Sequence, residues 1–211
     1  MKFFIANDVL LVILGVSICA FNGVIAVDTQ LLFQTFQLVP DVLTNAPDSL
    51  LSAKFNDVNV NFGKELTPTQ VKDPPTLNWN SQDTDFYTIC MTDPDAPSRQ
   101  NPTVREFLHW LVVNVPGSDL SRGETLAAYV SSAPPKDTSL HRYTLLVFRQ
   151  PSRISFESEK YIPNNTREGR KNFSIQKFAD KYNFGAPVAG NMYQAQYDDY
   201  VPIVSKQLDG Q

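Results

Sequence analysis

The segment Asp93-Pro94-Asp95-Ala96-Pro97-Ser98-Arg99 separates two largely apolar stretches of the chain, residues 86–92 and 108–115. Two prolines and two carboxylates within five residues cannot continue a β-ladder, so we expect the backbone to turn there. Residues 108–115 are apolar at both odd and even positions, which is typical of a central strand covered on both faces. His109 enters this strand near its start.

A second histidine lies in the same kind of setting. The rigid loop Ala133-Pro134-Pro135-Lys136-Asp137 leads into residues 141–150, which are again apolar on both faces and begin with His141. A single histidine in a strand is usually a core residue, and Asp beside Pro commonly serves turn geometry. The chain has only two histidines, however, and each follows a proline-containing loop at the end of a core strand. This pairing favours a functional site.

The rest of the chain predicts an all-β core with a few peripheral helices. The clearest helix follows Ser174, which can cap it, while Phe173 and Phe178 can form a hydrophobic staple. The other predicted elements are a helix over residues 32–39 that Pro40 ends, strands over residues 58–62, 77–79 and 192–197, and a short helix over residues 202–208.

The amino terminus has the composition of a secretory signal. Residues 9–20 form a mostly apolar run that is shorter than the ~20 residues a membrane-spanning helix needs. Val24-Ile25-Ala26 then supplies side chains of the kind that signal peptidase recognises. We therefore predict a signal peptide over residues 1–26, one domain over residues 27–211, and a secreted, extracellular protein. Sequons at Asn164 and Asn172 are predicted glycosylation sites and fit this route.

Composition and motifs argue against several classes of function. The chain has 18 Lys and Arg against 22 Asp and Glu, a net charge of −4, so we predict no nucleic-acid partner. Two histidines and two aspartates could ligate a metal or transfer protons. The sequence has no zinc-protease motif, no nucleophile elbow and no paired cysteine ligands. We therefore expect no catalytic residue, no metal and no cofactor.

These motifs together resemble the phosphatidylethanolamine-binding protein family. The resemblance rests on Asp93-Pro94-Asp95-Ala96-Pro97-Ser98-Arg99, on Arg105-Glu106-Phe107-Leu108-His109-Trp110, and on three later segments in the right order. Those segments are Pro134-Pro135-Lys136 with Leu140-His141-Arg142-Tyr143, then Ala186-Pro187-Val188-Ala189-Gly190, then Tyr197-Asp198-Asp199-Tyr200-Val201-Pro202. It extends over about residues 32–208, nearly the whole predicted domain.

The resemblance implies an all-β fold with peripheral helices, in which a large central antiparallel sheet is flanked by a smaller sheet. It also implies a shallow pocket for phosphate or a phospholipid head group, a cis bond between Ala96 and Pro97, and no enzymatic activity. The implied pocket residues are Asp93, Ala96, Pro97, His109, Pro134, His141, Tyr143 and Leu208. Imidazole and phenol groups can donate hydrogen bonds to phosphate oxygens. We expect a monomer that could contact membranes peripherally.

Departures from the family pattern bear on the ligand. Ser131, Ala133 and Ser139 replace glycines that let backbone approach a ligand. Phe107 replaces a tryptophan, and Val104 and Ser205 replace tyrosines, so we expect a less polar rim. An anion facing the imidazoles predicts raised histidine pKa values and tighter phosphate binding near pH 6 than near pH 8. Inhibition of a secreted protease and carriage of odorant-type ligands remain open alternatives.

Overall fold

The computed structural model describes residues 20–21, 24–25 and 28–211. Strands β1 (Ala20–Phe21) and β2 (Val24–Ile25) pair antiparallel. The rest of the predicted signal peptide lies outside the described residues. Among the helices that the structure describes, none is long and apolar enough to cross a membrane.

Two further sheets form the body of the protein. The larger has six strands in the order β3-β11-β10-β7-β8-β9, and all neighbours in it are antiparallel except β3 and β11. The smaller has the order β5-β4-β6. The strands are β3 (Ser49–Leu50), β4 (Ser52–Phe55), β5 (Val58–Asn59), β6 (Thr76–Asn78), β7 (Phe86–Asp93), β8 (Phe107–Pro116), β9 (Glu124–Ala127), β10 (His141–Arg149) and β11 (Ala189–Ala195). This arrangement confirms the predicted fold class.

The helices are short and peripheral. They are α1 (Thr29–Thr35), α2 (Leu38–Asp41), a 3-10 helix (Leu120–Arg122), α3 (Ile175–Lys181) and α4 (Val201–Leu208). The predicted cap of α3 is confirmed, since the Ser174 hydroxyl accepts from the amide of Lys177. The staple is also present, with the rings of Phe173 and Phe178 5.9 Å apart.

The central strands carry apolar residues on both faces because each face meets a different core. In β10, Tyr143, Leu145 and Val147 face the core beneath the smaller sheet. Leu146 and Phe148 face the opposite core, which α1, α2 and α3 cover. Successive side chains of a strand point to opposite faces, so a strand between two cores needs no polar face. The double-sided apolar pattern therefore identified the centre of the sheet correctly.

Two predicted elements are shorter than expected. The helix predicted over residues 32–39 ends at Thr35, because Gln37 adopts a left-handed backbone (φ 57°), and the separate short α2 follows. The strand predicted over residues 58–62 stops at Asn59, and its apolar residues divide, with Val60 in one core and Phe62 against the other. The alternating hydrophobicity of residues 58–62 therefore reflects contacts with two different cores and not one buried face of a strand.

The last strand begins earlier than predicted, at Ala189 rather than at residue 192. Its second residue, Gly190, pairs with Leu50 of β3. A Cβ atom at Gly190 would lie 2.5 Å from Pro47 and 2.9 Å from Phe33. Gly190 therefore lies inside the strand, where the lack of a side chain allows the close packing.

A buried ion pair attaches the Asp-Pro segment to the sheet. The Arg142 guanidinium donates to both carboxylate oxygens of Asp95, over 2.9 and 2.6 Å, and both side chains are fully buried. Arg142 also donates to Asp41 and to the carbonyl of Phe36. The same interaction lowers the pKa of Asp95 against the opposing effect of its burial. This contact fixes the turn after β7 against the start of β10.

We expect Arg142→Met to lower the free energy of unfolding by about 3 kcal/mol, because it removes the bidentate partner of the buried Asp95 carboxylate and leaves only the longer contact with Arg105, 3.6 Å away. Arg149→Met is the matched control, since the Arg149 side chain is 60% exposed and pairs with Asp85. That control should cost at most about 1 kcal/mol. Urea denaturation of both variants measures the difference, and equal losses would contradict the assigned role of the buried pair.

Candidate functional site

Three neighbouring strands deliver the predicted site residues to one end of the large sheet. Asp93 is the last residue of β7 and pairs with Phe107, the first residue of β8. On the other side of β7, Thr92 pairs with Thr144, which places Tyr143 beside Asp93. His141 begins β10 two residues earlier. Antiparallel register therefore brings together residues that lie far apart in the sequence.

A β-bulge directs His109 into the same place. Met91 pairs with Trp110, whereas Thr92 pairs with Leu108, so His109 has no partner on β7. Bulges of this kind redirect a side chain and occur often beside functional sites. The His109 ring packs 5.1 Å from Phe107 and 5.2 Å from Tyr143 between centroids.

These residues surround a cavity of about 350 Å³, near the lower end of the usual range for small-molecule sites. Seven of the eight predicted pocket residues line it: Asp93, Ala96, Pro97, His109, His141, Tyr143 and Leu208. The eighth, Pro134, is buried and is not among the residues that line the cavity, whereas its neighbours Ala133 and Pro135 are.

His141 is held at both ring nitrogens. Its Nδ1 lies 2.8 Å from Asp93 Oδ2, and its Nε2 lies 2.9 Å from the Thr138 hydroxyl, which itself donates to the Pro135 carbonyl. These two contacts fix the orientation of the ring. Asp93 Oδ1 accepts from the amide of Asp95. Asp93 therefore orients His141.

His109 differs from the expectation. Its Nδ1 lies 2.9 Å from the Val130 carbonyl and must donate to it. Burial lowers the pKa of His109 to about 4, although the Asp93 charge opposes this shift. A rise in the pKa of His109, expected for an imidazole that faces an anion, would therefore have to overcome this effect of burial. With a neutral ring, Nε2 carries a lone pair, and among the described residues it has no hydrogen-bond partner.

Tyr143 supplies an unsatisfied donor. Its side chain is buried, and its hydroxyl makes no hydrogen bond within the described part of the chain. Burial and the nearby Asp93 charge raise the pKa of Tyr143 well above its ordinary value, so the group keeps its proton. A buried polar atom without a partner costs free energy unless a ligand or water completes it.

Two basic residues on the rim were not predicted from the sequence. Arg167 and Lys171 line the cavity from the loop that precedes α3. The only signal was the concentration of basic residues at positions 167, 170 and 171. The third of these, Arg170, is fully buried and donates to the backbone carbonyls of its own loop and of β8.

The three replaced glycines have different consequences. The Ser131 hydroxyl points away and donates to the carbonyls of Pro68 and Val71, while Ala133 lines the cavity. Ser139 takes a left-handed backbone (φ 62°), which is unfavourable for a residue with a Cβ atom. The expected cis bond between Ala96 and Pro97 is confirmed.

The apolar rim is partly as expected. Val104 and Phe107 line the cavity, whereas Ser205 does not and instead offers its carbonyl to Arg167. The predicted glycosylation sites Asn164 and Asn172 are exposed. Within the described residues, no group of three or more His, Cys, Asp or Glu side chains is arranged to hold a metal ion.

Comparison with known proteins agrees with this geometry. The sequence profile of the family described as phosphatidylethanolamine-binding protein matches residues 51–194. The chain belongs to the phosphatidylethanolamine-binding protein family. The match covers the strands β4 to β11 and with them Asp93, His109, His141 and Tyr143.

Individual relatives are similar over most of the chain. A Drosophila melanogaster protein named as a candidate odorant-binding protein, A5, is 42% identical over 180 residues, 85% of each chain. A 26 kDa secreted antigen of Toxocara canis is 42% identical over 162 residues, 75% of this chain and 61% of that protein. The solution structure of CG7054 is 50% identical, with a TM-score of 0.67 over 82% of this chain and 98% of that one.

Glu106, next to the cavity residue Phe107, and His109 have opposite effects on how the stability of the protein depends on pH. Burial raises the pKa of Glu106 to about 7, although Thr92 and the amide of Ile175 donate to it. Below pH 6.5 the unfolded chain protonates His109 more than the folded protein does, so stability falls as pH falls towards 4. Between pH 4.5 and 7 the folded protein holds the extra proton on Glu106, so stability falls as pH rises.

The contributions of His109 and Glu106 to the pH dependence of stability oppose each other, and Glu106→Gln removes the contribution of Glu106. We expect the variant to lose about 1–2 kcal/mol of stability between pH 6.5 and pH 5, whereas the wild type changes little. Urea denaturation at both pH values measures this, with Glu106→Gln/His109→Gln as the control that restores a flat profile. A flat profile in Glu106→Gln alone would refute the assignment.

Proposed function

We propose that this protein is a non-enzymatic binding protein that holds a small anionic group, of the phosphate or phospholipid head-group type, in the cavity between Asp93, His109, His141 and Tyr143. The observation that carries the proposal is the Tyr143 hydroxyl, a buried polar atom without a hydrogen-bond partner among the described residues, inside a cavity with two cations at its rim. The family to which the chain belongs supports the same class of ligand.

The individual groups suit binding better than catalysis. Asp93 and His141 are held by hydrogen bonds to each other and to neighbouring groups. The raised pKa of Tyr143 leaves that residue a donor and not a base. Cys90 lies in the other core, where burial raises the pKa of its thiol, so it is not a nucleophile for this cavity.

The alternatives from the sequence have unequal support. Carriage of odorant-type ligands finds support in the name of the Drosophila melanogaster relative. A cavity of about 350 Å³ with a polar floor suits only a small or partly inserted molecule of that kind. A protease partner stays a prediction.

The name of the Toxocara canis antigen and the apolar amino terminus support secretion, and we propose the signal peptide over residues 1–26 on that basis.

Tyr143→Phe tests the proposed donor with ethyl phosphate as the probe. We expect the Kd to rise about ten- to a hundredfold, the effect of losing a hydrogen bond to a charged group. Tyr193→Phe is the matched control, because Tyr193 stacks on Tyr143 but its hydroxyl bonds Ser132. Calorimetric titration gives both values. An unchanged Kd in Tyr143→Phe, or an equal rise in both variants, would argue against the site.

The second prediction concerns pH. A neutral His109 offers Nε2 as an acceptor, so the phosphate monoester binds as the monoanion, whose P–OH group can donate, or with uptake of one proton. The second pKa of a phosphate monoester is about 6. We therefore still expect tighter binding of ethyl phosphate near pH 6 than near pH 8, with the proton supplied by the ligand as pH falls.

His109→Gln separates this explanation from a general effect of charge, because its amide can donate to the dianion at any pH. Calorimetry in buffers of different ionisation enthalpy should show proton uptake near pH 8 for the wild type and none for the variant. The same pH dependence in both proteins would place the titrating group elsewhere.

A further inference from the structure

The rim of the cavity has an asymmetric distribution of charge. Arg167 and Lys171 line one side, whereas Val104, Phe107 and Leu208 are apolar. Asp93 is the only carboxylate among the lining residues, and it is engaged by His141. A bound phosphate ester therefore extends from the polar floor towards two cations and an apolar wall.

The loop that carries the two cations is fixed in place. The amide of Leu108 donates to the Arg170 carbonyl, and Glu106 and Phe173 exchange backbone hydrogen bonds. The buried Arg170 guanidinium adds bonds to the carbonyls of Leu108, Ala128, Pro163 and Thr166. Positions 167 and 171 on either side of Arg170 are therefore held beside the strand that carries His109.

Arg167 is also oriented from the opposite side. Its Nε donates to Asp209 over 2.8 Å, and its Nη2 lies 3.4 Å from the carbonyl of Ser205 at the end of α4. Its Nη1 makes no hydrogen bond within the described residues. Lys171 is exposed, and no described carboxylate lies within ion-pair distance of it. Both cations thus retain donors for a ligand.

We propose that Arg167 and Lys171 make this site selective for phosphate esters of net negative charge over zwitterionic aminoalkyl phosphates. An ammonium group on the ligand would enter the mouth beside two like charges. The carboxylates at hand are both engaged, Asp209 by Arg167 and Asp93 by His141. A neutral substituent of the same size meets no such repulsion. This inference rests on the proposed function, because it concerns the selectivity of the same cavity.

The test uses two soluble phosphodiesters that differ only in one terminal group. Hexyl 2-aminoethyl phosphate carries an ammonium group there, and hexyl propyl phosphate carries a methyl group in its place. We expect the wild type to bind hexyl propyl phosphate at least about tenfold more tightly at low salt, where charge interactions are least screened. In Arg167→Gln/Lys171→Gln the ratio of the two Kd values should fall to within about twofold.

The control variant is Lys54→Gln/Lys177→Gln, which removes the same net charge at one half-buried and one exposed position outside the cavity. It should keep the wild-type ratio. A wild type that binds both ligands equally, or a rim variant that weakens both equally, would overturn the selectivity while leaving the proposed function standing. A wild type that binds neither ligand would overturn the proposed function itself.

Vesicle sedimentation distinguishes the source of the ester. Wild-type protein that sediments with phosphatidylcholine vesicles containing phosphatidylglycerol, but not with those containing phosphatidylethanolamine, supports the proposal with a membrane lipid as ligand. Binding of soluble hexyl propyl phosphate without sedimentation supports it with a free ester. Preferential sedimentation with phosphatidylethanolamine would contradict it.

Discussion

The site depends on the buried ion pair between Asp95 and Arg142. The chain turns after β7 because the Asp-Pro segment cannot continue the ladder, but prolines alone do not decide where the turn leads. Arg142 decides this by holding Asp95 against the start of β10 with a bidentate contact. Because the amide of Asp95 donates to Asp93, and Asp93 holds His141, the fold and the site share one chain of hydrogen bonds.

The two histidines have different roles because the sheet presents them differently. His141 begins a strand beside the carboxylate that compensates it, with the Thr138 hydroxyl at its other nitrogen. His109 is inside a strand, at a bulge, and the group that contacts it is a neutral carbonyl. Burial therefore keeps His109 neutral, whereas hydrogen bonds to Asp93 and Thr138 hold the ring of His141 in place. The two rings are therefore not an equivalent pair.

Much of the fold and most of the site could be predicted from particular residues. Double-sided apolar patterns identified β8 and β10, the apolar stretch before Asp93 identified β7, and the proline loops at their ends indicated where the polar residues would meet. The bulge at His109 could not be predicted, because an extra residue in one strand is visible only against its partner. Which of the adjacent prolines 134 and 135 lines the cavity likewise depends on the folded backbone. Arg167 and Lys171 lie in a loop without periodicity, so no pattern related them to the pocket.

The placement of charge in the site follows from the cost of desolvation. Within the cavity, the Asp93 carboxyl group contacts His141 directly, and the groups Tyr143 and His109 remain neutral because burial opposes their charged forms. The cations are kept at the rim, where Arg167 pairs with Asp209 and water still solvates Lys171. An anion that enters therefore gains from the rim cations before it is desolvated and from fixed hydrogen-bonding groups afterwards. Recognition is thus divided between an outer part that selects by charge and an inner part that selects by geometry.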